Sequence, residues 1–171
     1  MSKKTLNKAN LANLGADRLA DLLIEVSAGS ADMKRRLRLE LSHNLGPSEL
    51  SADVRKRLAS IRRAKTYLGW RRRKALIKDL NTQADMIILK IAPAAPTEAF
   101  ELLWQFLELA PSVYNRVDDT KGDVAQVFGY AISHIDEIAT RAGLDPTALA
   151  ERVWEAVQGN ECGEFDGIIG H

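Results

Sequence analysis

Residues 70–91, WRRRKALIKDLNTQADMIILKI, show most clearly which fold this sequence specifies. Apolar side chains recur there at helical spacing, at Trp70, Ile77, Leu80, Ala84, Ile88 and Ile91. This spacing places them on one face of an α-helix, whereas a half-buried strand requires alternation at every second position. The stretch therefore predicts a long amphipathic helix that ends before Pro93.

The segments on both sides of this stretch show the same helical period. Val54, Leu58 and Ile61 form the inner face of a preceding helix, and Asp145-Pro146, a capping residue followed by proline, starts the last helix. No window alternates apolar and polar residues between hairpin turns. Because nearly all connections are short, we predict an all-α fold, namely an antiparallel helical bundle or a short α-solenoid of seven to eight helices.

The composition of the 171 residues excludes several classes of protein. Hydrophobic residues make up 46% and charged residues 27%, which is typical of globular proteins and unlike disordered ones. The single cysteine, Cys162, excludes an internal disulfide framework. No apolar run approaches the roughly 20 residues that span a bilayer, and no apolar stretch follows the charged start. We therefore expect a cytoplasmic protein without a membrane segment or a secretory signal.

The domain organisation predicted from these patterns is simple. Residues 1–160 are expected to form a single helical domain. Residues 161–171 differ from the rest, because they resemble a loop that becomes apolar at Ile168 and Ile169. We expect this tail to lead into a further C-terminal region, so that the chain would be the N-terminal part of a longer protein.

The charges are distributed unevenly along the chain, although the net charge is only +1. Residues 1–96 contain 20 Lys and Arg against 9 Asp and Glu, which gives +11, and residues 97–171 contain 4 against 14, which gives −10. A split of this kind indicates either a charged partner or neutralisation of one half by the other.

The basic charge is most concentrated in residues 54–78, which contain eleven Lys and Arg and no acidic residue. When Val54, Leu58 and Ile61 face inward, these cations fall on the flanks and outer face of one helix and on a flank of the next. The two helices are therefore predicted to present one positive surface. Its candidate partner-binding residues are Arg55, Lys56, Arg62, Arg63, Arg71, Lys74 and Lys78.

Several interpretations of this basic face are open. Like charges at this density repel one another, so they require solvation or a source of negative charge. In two of these interpretations the face binds nothing else, because the acidic second half of the chain covers it or because it is simply solvated. In the others the face binds an acidic protein partner or the chain's own C-terminal region, or it binds nucleic acid. Tyr67 and Trp70, at the corner between the two helices, are expected to be core residues rather than platforms for stacking bases. No recognised nucleic-acid-binding motif is present.

Residues that carry catalytic or metal chemistry are sparse. The loop at residues 118–123, DDTKGD, lacks the ligand spacing and closing glutamate of an EF-hand, so we expect a capped loop before a helix. A weak metal-site candidate consists of Glu161, Cys162, Glu164, Asp166 and His171. It lacks the repeated ligand spacing of zinc sites, and nothing places Cys162 beside His134 as a catalytic pair. We therefore expect no catalytic residue, no metal, no cofactor and no enzymatic activity.

Five stretches together resemble a known family. They are residues 14–23 (LGADRLADLL), 34–41 (KRRLRLEL), 102–113 (LLWQFLELAPSV), 116–119 (RVDD) and 165–169 (FDGII). The chain resembles a group of uncharacterised, mostly proteobacterial proteins known only as a domain of unknown function. The resemblance implies an all-helical, tetratricopeptide-like solenoid in a usually longer protein, and it implies no activity.

The sequence thus predicts a bacterial, non-enzymatic interaction or scaffold module, with the basic two-helix face as its docking surface. The alternative is a nucleic-acid-binding protein that uses the same face. Its oligomeric state has no signature in the sequence.

Overall fold

The computed structural model describes residues 5–159, which contain α-helices, one π-helical segment and no strand. The predicted all-α class is confirmed, and eight of the α-helices in this part of the chain have at least eight residues. The α-helices are α1 (Lys8–Ala12), α2 (Ala16–Ser27), α3 (Ala31–Leu45), α4 (Pro47–Arg63), α5 (Trp70–Asp85), α6 (Pro96–Leu107), α7 (Ala110–Tyr114), α8 (Asp123–Ile132), α9 (Ile135–Ala142) and α10 (Pro146–Gln158).

The chain divides into two compact units, Met1–Arg38 and Leu39–His171. In the first unit α1 contacts α2, and Ser27 is the one buried residue among those described. Leu23 and Val26 of α2 stay largely exposed there, although their spacing is that of a core-facing stripe. The single domain expected over residues 1–160 stays a prediction, and the tail at residues 161–171 lies outside the described residues.

The core of the second unit is built around α6. Seven of the twelve residues of this helix are buried, among them Phe100, Leu103 and Phe106. The helix contacts α4, α8 and α9, and it also contacts the π-helical segment Met86–Ile91. A helix that is apolar on most of its surface is stable only when neighbours cover it on several sides, which explains its central position.

Residues 70–91 form one continuous helical segment, as predicted, but its last part is not α-helical. After Asp85 the chain continues as the π-helical segment, whose wider turn ends with a hydrogen bond of 2.9 Å from the Ala92 N–H to the Ile87 carbonyl. Met86, Ile87 and Ile88 are consecutive and all buried. Because this run is apolar on successive positions, it gives no periodic signal that distinguishes a π-helix from an α-helix.

The helix boundaries agree with the local capping chemistry. Gly46, at φ 133°, adopts a conformation that side chains disfavour, and it separates α3 from Pro47 at the first position of α4. The Asp145 carboxylate accepts a 2.9 Å hydrogen bond from the Ala148 N–H, which confirms the predicted start of α10. Within residues 5–159, the helices are too short or too polar to cross a bilayer.

Candidate partner-binding site

The seven predicted face residues lie on two consecutive helices of the second unit, and all seven are exposed. Arg55, Lys56, Arg62 and Arg63 belong to α4, whereas Arg71, Lys74 and Lys78 belong to α5. The buried face of α4 consists of Leu50, Ser51, Val54, Leu58 and Ile61, so the predicted phase of that helix is correct. The cations nevertheless fall into groups with different surroundings.

Two of the predicted residues already have acidic partners from the second half of the chain. Arg55 pairs with Glu98 in the first turn of α6, and the Arg62 Nη1 atom lies 3.3 Å from Glu108 Oε2 just beyond its end. Both pairs remain accessible to solvent, where an ion pair stabilises a fold by about 1 kcal/mol or less. A partner that binds here must therefore compete with carboxylates of the same chain.

Two further cations of the basic run are structural. The Arg57 Nε atom donates a 2.7 Å hydrogen bond to the carboxylate of Asp79, which is almost fully buried. Arg73 pairs with Asp123 and lies 3.8 Å from Asp119. Both arginines belong to the basic run but not to the predicted face, and their structural role was not predicted. A signal existed for Arg57, because it follows Val54 by three residues and so borders the inner face of α4.

The cations around the connection between α4 and α5 have no such compensation. Among the described residues, no carboxylate forms an ion pair with Arg63, Lys65, Arg71 or Arg72. All four side chains are exposed. They fall within residues 63–72, so four exposed cations without an ion pair are concentrated in this short stretch of the second unit.

Two aromatic rings lie among these cations, and the expectation that they are core residues was wrong. Tyr67 is 61% exposed and Trp70 is 63% exposed. Residues 64–69 are not helical, so the helical spacing that suggested burial does not extend through them. The Lys74 Nζ atom lies 4.4 Å from the centre of the Trp70 ring, a cation–π contact. We call this surface the basic corner, and it consists of Arg63, Lys65, Tyr67, Trp70, Arg71, Arg72 and Lys74.

Arg116 holds the backbone of the basic corner in place. Its Nε atom donates to the Thr66 carbonyl at 3.1 Å and its Nη1 atom to the Ile61 carbonyl at 3.3 Å. Its own carbonyl accepts a 2.8 Å hydrogen bond from the Leu68 N–H. Arg116 is only 8% exposed, and burial lowers the pKa of its guanidinium, with a smaller effect from the charge of Arg57. The connection is therefore anchored by three hydrogen bonds to one residue.

Lys74, which belongs to the basic corner, and Lys78 also border a groove. This groove has a volume of about 570 Å³ and lies between α5 and α8. Its α8 side carries Asp123 and Gln126. Lys56, in contrast, lies on α4 one residue before Arg57 and is exposed to solvent. The predicted set is thus distributed over the α4 surface, the corner and the α5 groove.

The acidic loop at residues 118–123 is a capped turn, as predicted. The two carboxylate oxygens of Asp119 accept hydrogen bonds from the N–H groups of Val124 and Ala125, each at 2.9 Å, and α8 begins at Asp123. The Asp118 carboxylate accepts hydrogen bonds from the hydroxyl and the N–H of Thr120. These bonds, the hydroxyl first, lower the pKa of Asp118.

The other candidate catalytic or metal-binding residues either make structural contacts or lie outside the described residues. His134 Nδ1 is 2.9 Å from the Tyr130 carbonyl, and the two rings meet edge to face with centres 4.7 Å apart. Burial, followed by Asp85, raises the pKa of Tyr130. The proposed cluster around Cys162 falls outside residues 5–159. Within those residues no three His, Cys, Asp or Glu side chains are grouped to hold a metal ion.

A comparison with protein families identifies the family of this chain. A model described as a family of unknown function (DUF6880) matches residues 1–171. Comparisons with curated proteins and with solved structures gave no significant match. The resemblance to a domain of unknown function is thus confirmed at that level, whereas its proteobacterial distribution and tetratricopeptide-like character stay predictions.

Proposed function

Because the chain belongs to the family of unknown function DUF6880, we propose its role from the basic corner: it is a docking module that binds an acidic segment of a partner protein. In this proposal the module has no chemistry of its own and works in the bacterial cytoplasm. The observation that carries the proposal is the set of exposed cations at the corner without a carboxylate partner among the described residues.

Charge compensation elsewhere in the second unit makes this set distinctive. Arg55, Arg62 and Arg73 each pair with a carboxylate from the acidic half, although they belong to the same basic run. Arg71 and Arg72 are exposed to solvent, and the like charges of the corner repel one another. An acidic segment would remove that repulsion and would be attracted to the corner over a distance of about 10 Å at moderate salt.

The aromatic rings of the basic corner provide contact area for a partner in addition to the charge of its cations. Tryptophan, tyrosine and arginine are the residue types that most often dominate the binding energy of protein interfaces, and the corner exposes all three. Arg116 anchors the backbone between them, so little conformational entropy has to be lost on binding. These features support a specific docking surface over a generally solvated face.

The proposal is tested with a fluorescently labelled glutamate-rich peptide, whose anisotropy reports binding. The double variant Arg71→Glu/Arg72→Glu should weaken binding about tenfold or more, since both cations become repulsive. The matched control Lys56→Glu/Arg141→Glu makes the same change in net charge at exposed positions of the second unit that do not belong to the corner, and it should change affinity by less than about twofold. Equal losses in both variants would show a response to net charge alone and contradict the proposal.

A second candidate function, binding of single-stranded nucleic acid, is favoured by the exposure of Tyr67 and Trp70 beside cations. Bases stack on such rings, and each stacked base contributes about 1–3 kcal/mol. Titration with an oligonucleotide distinguishes the two functions. Nucleic acid is the partner if the oligonucleotide binds more tightly than the peptide and Trp70→Ala abolishes the advantage. If the peptide binds more tightly than the oligonucleotide, both to the wild type and to Trp70→Ala, the nucleic-acid function is rejected.

A further inference from the structure

A second surface of the same unit complements the basic corner in both polarity and charge. It is a groove of about 430 Å³ between α10 and the junction of α8 with α9. Apolar side chains line most of it, and two carboxylates lie at its edge. Its principal residues are Ile132, Ile135, Asp136, Glu137, Leu149 and Val153.

The groove lies beside α10, a helix that packs against the core with partly buried side chains only. No residue of α10 is buried within the described chain, and its anchor is Arg152. The Arg152 guanidinium binds both carboxylate oxygens of Glu101 on α6, at 2.7 and 3.0 Å, and lies 4.5 Å from the centre of the Trp104 ring. The apolar residues of the first turns of α10, such as Leu149 and Val153, therefore remain only half-buried.

The charge of the groove is negative and is only partly compensated. Asp136 and Glu137 are both exposed, and Glu137 pairs with Arg141 at 2.8 Å. Among the described residues no cation forms an ion pair with Asp136. An occupant that suits this groove combines a large apolar group with positive charge beside it.

The basic corner has this composition, since Trp70 projects into solvent next to Arg71 and Arg72. We propose that the groove binds the basic corner of a second copy of this chain, with the indole of Trp70 in the groove and the two arginines facing Asp136 and Glu137. The volume of the groove lies within the range of about 300–1,000 Å³ that encloses small ligands, so it accommodates one indole. This inference rests on the proposed function, and it identifies the acidic partner of the basic corner as a second copy of the same chain.

The overall charge pattern supports the same contact. Residues 1–96 carry +11 and residues 97–171 carry −10, and the corner belongs to the basic half of the sequence whereas the groove belongs to the acidic half, so the corner of one copy and the groove of another attract one another. The corner and the groove are different surfaces, and no residue of the corner lines the groove. The contact is therefore head-to-tail, and an assembly keeps one free corner at one end and one free groove at the other until a ring closes.

Two variants, each lacking one of the two surfaces, test the inference by sedimentation velocity. Trp70→Ala/Arg71→Glu removes the corner, and Ala150→Arg fills the groove from an exposed position in its wall. The wild-type chain should assemble further as its concentration rises, and each variant alone should stay monomeric. A mixture of the two should form a one-to-one dimer that does not grow, because one variant supplies the groove and the other supplies the corner.

Substitutions elsewhere in the second unit serve as controls for this experiment. Lys56→Glu and Glu155→Lys, at exposed positions of the second unit that belong to neither surface, should leave assembly unchanged. If Ala150→Arg loses helical circular dichroism, Asp136→Lys replaces it. A wild-type chain that stays monomeric, a mixture that stays monomeric or a groove variant that still assembles would overturn the inference. If the glutamate peptide still binds the corner in those cases, only the self-association inference is wrong and the proposed function stands. If the peptide does not bind either, the inference and the proposed function are both wrong.

Discussion

The basic run has two regions with opposite electrostatic surroundings. On its inner side, Arg57 and Arg73 lie against carboxylates and help to join helices. At the basic corner, Arg71 and Arg72 face solvent without a carboxylate partner in the described chain. The residue type is the same in both regions, so the difference comes from helix phase. A dense run of cations therefore combines structural arginines with candidate recognition residues, and only position separates them.

The largest effect should come from removing Arg57, because its partner Asp79 is almost fully buried. Arg57→Met leaves that carboxylate short of its cation, and we expect a loss of about 3 kcal/mol in the free energy of unfolding. The neighbouring exposed residue gives the matched control, and Lys56→Met should change stability by about 0.5 kcal/mol or less. Urea unfolding of both variants checks the contrast, and equal losses would contradict it.

A loss of about 2 kcal/mol is expected for Arg116→Leu, since the carbonyls of Ile61 and Thr66 each lose a donor, the first of them in a buried contact. The same variant should weaken binding of the glutamate peptide, although Arg116 itself is too buried to touch a partner. Arg116→Lys, which retains a donor, should recover part of both losses. A variant that loses stability but binds the peptide as well as the wild type would show that the corner needs no anchor.

A smaller effect separates two adjacent aspartates of the acidic loop. Asp119→Ala removes the cap that satisfies two N–H groups at the start of α8, which should cost about 1–2 kcal/mol. Asp118→Ala affects an exposed carboxylate that bonds only within its own turn, so we expect a much smaller change in the midpoint of thermal unfolding. The result is contradicted if the two variants unfold at the same temperature.

The smallest effect concerns protonation of Asp118. The Thr120 hydroxyl is the main reason that the pKa of Asp118 is lowered, so Thr120→Ala should raise this pKa towards its usual value in an NMR titration. A lowered pKa means that the contribution of Asp118 to stability is present above its unfolded pKa and is lost as the pH falls through its folded pKa. The variant should therefore lose less stability on acidification, and an unchanged Asp118 titration would contradict this assignment.

The helices were predictable because their apolar spacing is a local property. Val54, Leu58 and Ile61 of α4 are all buried, as their spacing requires, and Asp145 caps α10. The α-to-π change after Asp85 was not predictable, since the continuous apolar run has no period to read.

The site was predictable only in part, because its electrostatics depend on long-range contacts. The partners of Arg55 and Arg62 lie more than 40 residues away in sequence, so local spacing does not reveal them. Tyr67 and Trp70 were misplaced because the chain leaves the helix between them and α4. Arg116 was missed for the same reason as the ion pairs, since its carbonyl partners are 50 and 55 residues away.

The most direct measurement is an NMR titration of the isotope-labelled chain with the glutamate-rich peptide. The amides of residues 63–74 should shift most, and those around Arg55, whose charge is already paired with Glu98, should shift little. The shifts should fade as salt rises, because the contact is electrostatic. Shifts centred on the paired flank of α4, or spread evenly over all exposed cations, would contradict the division of the basic run into a compensated side and a binding corner.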